Sequence, residues 1–154
     1  RKYLVIGDSW KAVAGEGELF RQGYLGNSET ASVRVRIEGE RANINIKSAT
    51  LGVFRQEYEY PIPLDDAQKL LDDLCDKPLI EKHRYRLCVG EHEWEIDVFL
   101  GDNDGLVVAE IELNDPDEPF EKPGWLGKEV SDDPRYYNVC LVRHPYKEWN
   151  EANS

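Results

Sequence analysis

Long charged side chains recur at every second residue of this sequence, sorted by sign. Arg34 and Arg36 stand two apart, as do Lys82, Arg84 and Arg86, and Lys47 follows Asn43 and Asn45 at the same spacing. Glu57 and Glu59, then Glu93, Glu95 and Asp97, then Glu110 and Glu112 are the acidic counterparts. A strand puts residues i and i+2 on one face, so each set makes a row of like charge. Arginine offers a planar fork to phosphate oxygens and lysine a point charge, so Arg34, Arg36, Lys47, Lys82, Arg84 and Arg86 suit several phosphoryl groups in succession. Glu110 and Glu112 offer two hard oxygen ligands, the kind that Mg²⁺ or Mn²⁺ takes. A buried row of one sign is costly without counter-charge. A metal-bound polyphosphate satisfies the basic and the acidic rows together. An RxR or ExE pair alone is commonplace; the weight lies in the conjunction.

The rows need strands to carry them. Period-two or β-rich runs recur at Lys2 to Ile6, Leu19 to Leu25, Ala31 to Glu38, Arg41 to Lys47, Leu51 to Tyr60, Ile80 to Val89, His92 to Leu100 and Leu106 to Leu113, about eight strands in all. Each charged row has an apolar reverse, such as Val33, Val35 and Ile37 behind Arg34 and Arg36, or Trp94, Ile96 and Val98 behind Glu95 and Asp97. Gly39-Glu40 and Gly90-Glu91 read as tight hairpin turns, and sequential antiparallel pairing is the economical topology. Leu64, Ala67, Leu70, Leu71 and Leu74 recur at helical spacing behind Asp65 and Asp66, which predicts one helix; a second is expected after Asp132-Asp133-Pro134. About eight strands can close into a barrel whose interior just holds side chains or one small ligand. With the charged faces inside, that is a polar tunnel. The helices and the segment Pro119 to Leu126 would then cover the apolar exterior. Arg34, Arg36, Arg84 and Arg86 would converge and repel one another, so removing Arg84 is expected to leave the ligand-free fold unchanged or slightly more stable.

The 154 residues fit one domain spanning 1–154. Nineteen Lys and Arg against 31 Asp and Glu give a net charge of −12, a field that repels nucleic acid and anionic membranes. The longest uncharged apolar stretches run about five residues, whereas a membrane-spanning helix needs roughly twenty. Tyr3 to Ile6 is too short for a signal-peptide core, so the expected location is cytoplasmic. Cys75, Cys88 and Cys140 have no CxxC spacing and read as buried free thiols, and His83, His92 and His144 form no metal-ligand pair.

At this point the chain resembles the CYTH superfamily, the triphosphate tunnel metalloenzymes, and in particular its short bacterial members acting on inorganic triphosphate. The likeness spans nearly the whole chain. It rests on Arg21-Gln22-Gly23-Tyr24-Leu25, the Arg34/Arg36 pair, Asn45-Ile46-Lys47, Arg55-Gln56-Glu57-Tyr58-Glu59, Lys82-His83-Arg84-Tyr85, Glu95-Ile96-Asp97, Ala109-Glu110-Ile111-Glu112-Leu113 and Trp125-Leu126-Gly127-Lys128-Glu129. Arg1-Lys2-Tyr3 is similar to the end of the family's N-terminal ExExK motif, making Lys2 the motif lysine. Two motif glutamates are then expected ahead of Arg1, on a longer natural N-terminus. The resemblance implies a closed eight-stranded antiparallel β-barrel with divalent metal on the acidic side, triphosphate on the basic side and in-line attack by water. Lys2, Glu57 and Glu59 would be catalytic, Glu110 and Glu112 would hold metal, and the six cations would hold phosphates. Glu95 and Asp97 divide between the metal side and neutralisation of neighbouring arginines. A family helix expected between the eighth strand and Trp125 is interrupted by Pro116, Pro119 and Pro123. Besides a small-molecule triphosphatase, a class IV adenylate cyclase and a non-catalytic polyphosphate-binding module are compatible with these residues.

Overall fold

The computed structural model describes residues 1–48 and 56–152. Nine strands form one antiparallel sheet: β1 (Lys2–Val5), β2 (Glu18–Asn27), β3 (Ala31–Glu38), β4 (Arg41–Ser48), β5 (Glu57–Pro61), β6 (Ile80–Val89), β7 (His92–Phe99), β8 (Val107–Ile111) and β9 (Leu126–Glu129). The first part of the fifth expected strand, residues 51–55, lies outside the described residues. Sequential pairing holds for β2-β3-β4-β5 and for β6-β7-β8. It fails for β1, which runs between β8 and β9, and for β2, whose other neighbour is β6.

The expected closed eight-stranded barrel is corrected to a nine-stranded open sheet in the order β5-β4-β3-β2-β6-β7-β8-β1-β9. Among the described residues β5 pairs only with β4 and β9 only with β1. Closure needs every strand paired on both sides. Here the two edge strands are short, five and four residues, and the β1/β9 register shifts between Tyr3 and Val5.

Gly39 and Gly90 take φ +60° and +61° at the first positions of their two-residue turns, where a side chain would be strained. Those turns set the register of β3/β4 and β6/β7 and so place the charged rows opposite one another. The apolar reverse of the sheet is covered in two places. Val35, Ile37 and Ala42 pack against Ala67 and Leu71 of helix α1 (Leu64–Lys69) and its wider final turn, Leu70–Leu74, and against Cys75 just beyond it. Tyr3, Leu87, Trp94, Ile96, Ala109 and Ile111 pack against Trp10 and Trp125. Phe120 adds edge-on contacts to Tyr3 and Trp94 at centroid separations of 6.2 and 5.8 Å, so the proline-interrupted segment covers this face without a helix. Beyond a short 3-10 turn at Pro134–Tyr136, the expected second helix is two: α2 (Asn138–Arg143) and α3 (Tyr146–Ala152), separated by Pro145. Tyr136, Leu141, Val142 and Trp149 pack over Tyr24, Ile80, Phe99 and Val108, closing one end of the charged face. The three cysteines are free thiols, but only Cys75 is buried: Cys140 is half-buried, and Cys88 is exposed because its even-numbered position puts it in line with Arg84 and Arg86.

Candidate functional site

Residues directly opposite on an antiparallel ladder share a face, so the pairings can be followed strand to strand. One row runs Glu59, Asn45, Arg34, Tyr24. The next runs Asn43, Arg36, Gln22, Ile80, and a third Glu38, Phe20, Lys82, Phe99. A fourth is Glu18, Arg84, Asp97, Val108, Leu4; the fifth is Arg86, Glu95, Glu110, Lys2. The charged face is therefore continuous across eight strands. It is not an ordinary solvated surface, since Gln22, Asn45, Lys82 and Asp97 are each no more than 2% exposed.

The face divides into two electrostatic regions. Around Asp97 the charges are neutralised. Arg84 Nε and Nη2 donate to Asp97 at 2.8 and 2.9 Å, Arg84 Nη1 donates to Glu95 at 3.0 Å, and Lys82 Nζ lies 2.9 Å from Asp97. Burial pushes the Asp97 carboxyl up, but the Lys82 charge and the Arg84 bonds outweigh it and hold the group well below the usual carboxylate range. Burial pushes the Lys82 ammonium down to about 8, with Asp97 offsetting only part because Arg84 and Arg36 repel it. Burial also acts against Arg84, yet Asp97 and Glu95 raise it above its ordinary value. Arg84 is thus not an unpaired cation, which removes the like-charge premise on which its loss was expected to leave the fold unchanged. The signal lay in the two-residue turn at Gly90-Glu91, which sets Arg84 opposite Asp97 and Arg86 opposite Glu95. Arg86 is exposed and 3.5 Å from Glu95, whereas Lys82 has no accessible surface and its ammonium lies against Asp97 and Asn138 Oδ1, the latter at 3.4 Å.

Around Arg34 charge is in excess. Among the described residues no carboxylate lies within 4 Å of Arg34, and its buried Nε has no hydrogen-bond partner. Arg36 donates from Nε to Gln22 Oε1 at 2.9 Å and from Nη1 to Glu38 at 3.3 Å. Burial, then the charges of Arg34 and Arg84, lower Arg36 from its ordinary value. The ring of Phe20 is flanked by Arg36 and Arg84, with guanidinium carbons 5.4 and 4.8 Å from its centroid. Lys47 lies 4.0 Å from Glu57, whose carboxyl is held low first by a 2.9 Å bond from Asn45 Nδ2, then by Lys47, Arg34 and Arg36. Glu57 and Glu59 therefore stand on exposed β5 beside the basic region, separated along the sheet from Glu110 and Glu112.

The acidic region surrounds a cavity of about 870 Å³ lined by Lys2, Glu95, Glu110, Glu112, Glu129 and Asp132, among others. Glu95 and Glu110 face each other directly in register, and their repulsion is offset by Arg84 and Arg86 at Glu95 and by Lys2 at Glu110. Lys2 Nζ is 3.4 Å from Glu110 and donates to Tyr136 O at 3.1 Å. Among the described residues no three acidic, histidine or cysteine side chains converge tightly enough to encage a metal. Paired carboxylates in a roomy cavity nonetheless fit a hard divalent ion, which keeps water and substrate oxygens in its shell. Sequence reasoning missed Gln22 and Phe20, which are uncharged and lie between the two basic strands. No helix among the described residues is long and apolar enough to cross a membrane.

Comparison with known proteins bears on this face. The family model described as CYTH domain matches residues 1–137. The chain is 47% identical over 151 residues to an inorganic triphosphatase of Acetivibrio thermocellus, covering 98% of this chain and 96% of the relative. It is 34% identical over 150 residues to an inorganic triphosphatase of Nitrosomonas europaea, covering 92% and 94%. Among solved structures, one of an inorganic triphosphatase superposes with a TM-score of 0.72 at 32% identity, covering 92% of this chain and 94% of that one. A putative adenylyl cyclase from Hippeastrum, described as having a dominant triphosphatase activity, superposes at 0.55 with 12% identity over 75% and 80% of the two chains, a likeness of fold alone.

Proposed function

This chain belongs to the CYTH domain family, and from that premise we propose that it hydrolyses inorganic triphosphate to diphosphate and phosphate with the help of a divalent metal. The observation that carries the reading is Arg34, which has no carboxylate partner among the described residues, beside Arg36, whose ion pair with Glu38 offsets only part of its burial and of the repulsion from Arg34 and Arg84. Arg34 is half-buried, with its Nε buried and without a hydrogen-bond partner, and it lies beside a second guanidinium that it repels, an arrangement that a multi-oxygen anion would complete. The two relatives named inorganic triphosphatases, each matched over more than nine-tenths of both chains, support the same substrate.

The chain's own residues divide the work by charge. Arg34, Arg36 and Lys47 take up phosphoryl oxygens on one side, and Arg84 and Arg86 do so on the other, with Lys82 and Asp97 fixing the Arg84 fork from behind. Glu110 with Glu112, helped by Glu95, would hold Mg²⁺ or Mn²⁺, which supplies positive charge against the phosphates that the protein's carboxylates cannot. Lys2 fixes Glu110 from the neighbouring strand. Glu57, kept ionised by Asn45 and the nearby cations, and Glu59 accept a hydrogen bond from the attacking water. The water oxygen bonds to the terminal phosphorus as its proton passes to the accepting glutamate, the bridging P–O bond breaks, and diphosphate leaves with the electron pair. Positioning and cationic stabilisation supply most of the rate in such a transfer.

Phosphate release from inorganic triphosphate, ATP and thiamine triphosphate, each with Mg²⁺ or Mn²⁺ and with excess EDTA, tests this. Release from inorganic triphosphate that stops in EDTA is expected. Equal release in EDTA, or none from inorganic triphosphate, would overturn the reading.

A further inference from the structure

Gln22 stands at the middle of β2, the strand between the two basic strands β3 and β6, and has no accessible surface. Its amide orientation is determined by chemistry: Arg36 Nε–H can only donate, so the atom 2.9 Å from it must be Oε1. The NH₂ end is left buried with no partner. The neighbouring Arg34 Nε is a second buried donor without a partner, one row away on the same face. Two orphan donors and a braced guanidinium on adjacent rows, beside the unpartnered acceptors Asn43 Oδ1 and Asn45 Oδ1, make a polar pocket in which the donors suit an acceptor with several oxygens, because a buried donor left unpaired is strongly disfavoured.

Resting on the triphosphate reading, we propose that Gln22 is a substrate-binding residue: its Oε1 holds the Arg36 guanidinium while its Nε2 donates to a phosphoryl oxygen shared with Arg34 and Arg36. A neutral amide is the side chain that this position requires. Lysine there would add to the repulsion that already lowers Arg36, and glutamate would neutralise the pair and repel the phosphate. Glutamine supplies a donor without altering the field.

The test is a double-mutant cycle read by titration calorimetry with inorganic triphosphate in EDTA, where turnover is absent. Gln22→Met is expected to weaken binding about tenfold, as for loss of one hydrogen bond to a charged acceptor. In an Arg36→Met background it should weaken binding by a similar factor again. If the effect vanishes in that background, Gln22 acts only through Arg36 and the proposal falls; wild-type affinity in Gln22→Met also overturns it. Should Gln22→Met unfold, Gln22→Glu keeps the Arg36 acceptor and must still lose binding by tenfold or more. Wild-type protein that neither binds triphosphate in EDTA nor hydrolyses it with Mg²⁺ or Mn²⁺ refutes the underlying triphosphate reading instead, so the two failures are distinct.

Discussion

Arg34→Met and Arg84→Met delete the same charge from the same face, yet the structure assigns them opposite effects on the ligand-free protein. Arg84 makes three charge-assisted hydrogen bonds of 2.8, 2.9 and 3.0 Å to Asp97 and Glu95, and its side chain is 11% exposed. Breaking a buried pair from one side costs about 3–5 kcal/mol. Lys82 stays 2.9 Å from Asp97 and keeps it partly neutralised, which brings the expected loss to about 2–4 kcal/mol. For a chain of this length 1 kcal/mol moves Tm by about 2–4 °C, so Arg84→Met should melt roughly 5–15 °C lower. Arg34 has no carboxylate within 4 Å among the described residues, and it repels Arg36. Its replacement should change stability by less than ~0.5 kcal/mol or raise it. Scanning calorimetry on both variants without ligand decides the matter. Equal losses of Tm, or a greater loss in Arg34→Met, would refute the division of the face into neutralised and uncompensated regions.

Glu110→Gln should cut divalent-dependent phosphate release tenfold or more, about 1.4 kcal/mol or above, while changing Tm little, because the Glu110 side chain is 36% exposed and Lys2 keeps its bond to Tyr136 O; turnover at the wild-type rate would remove Glu110 from the metal site. Lys82 gives a pH dependence with a definite sign. Its ammonium is pushed down to about 8 in the native state, below the ordinary lysine value of about 10.4, so between those values the unfolded chain binds a proton that the native one does not. The Lys82 contribution to stability therefore rises as pH climbs through that window and is lost as pH falls through about 8. The Tm of wild type relative to Lys82→Met should accordingly increase from pH 8 to pH 10; a flat difference would show that Lys82 titrates normally.

Much of this face is legible in the sequence because strand periodicity is local. Val33, Val35 and Ile37 alternate with Arg34 and Arg36, and the structure puts the two sets on opposite sides of β3. What escapes is non-local. Lys2 meets Glu110 because β1 inserts between β8 and β9, a pairing more than a hundred residues apart in the chain that no turn announces. The ninth strand, Leu126–Glu129, is too short to show alternation, and Gly127 is needed there since a Cβ would come within 2.8 Å of the Leu4 carbonyl oxygen. Likewise, charge sorting shows that Arg34 and Arg84 share a chemistry, but only the register shows that one is already neutralised by Asp97. Gln22 is silent in a search for charge, although its place between Phe20 and Tyr24 on β2 gives it the same face as the arginines.

The central claim is that Arg34 and Arg36 receive the triphosphate, and a crystal structure of the protein with inorganic triphosphate tests it most directly. Phosphoryl oxygens should lie within hydrogen-bonding distance of Arg34 Nε and the Arg36 guanidinium, with the chain of phosphates extending toward Glu110. Triphosphate bound elsewhere, with Arg34 and Arg36 turned to bulk solvent, would contradict it.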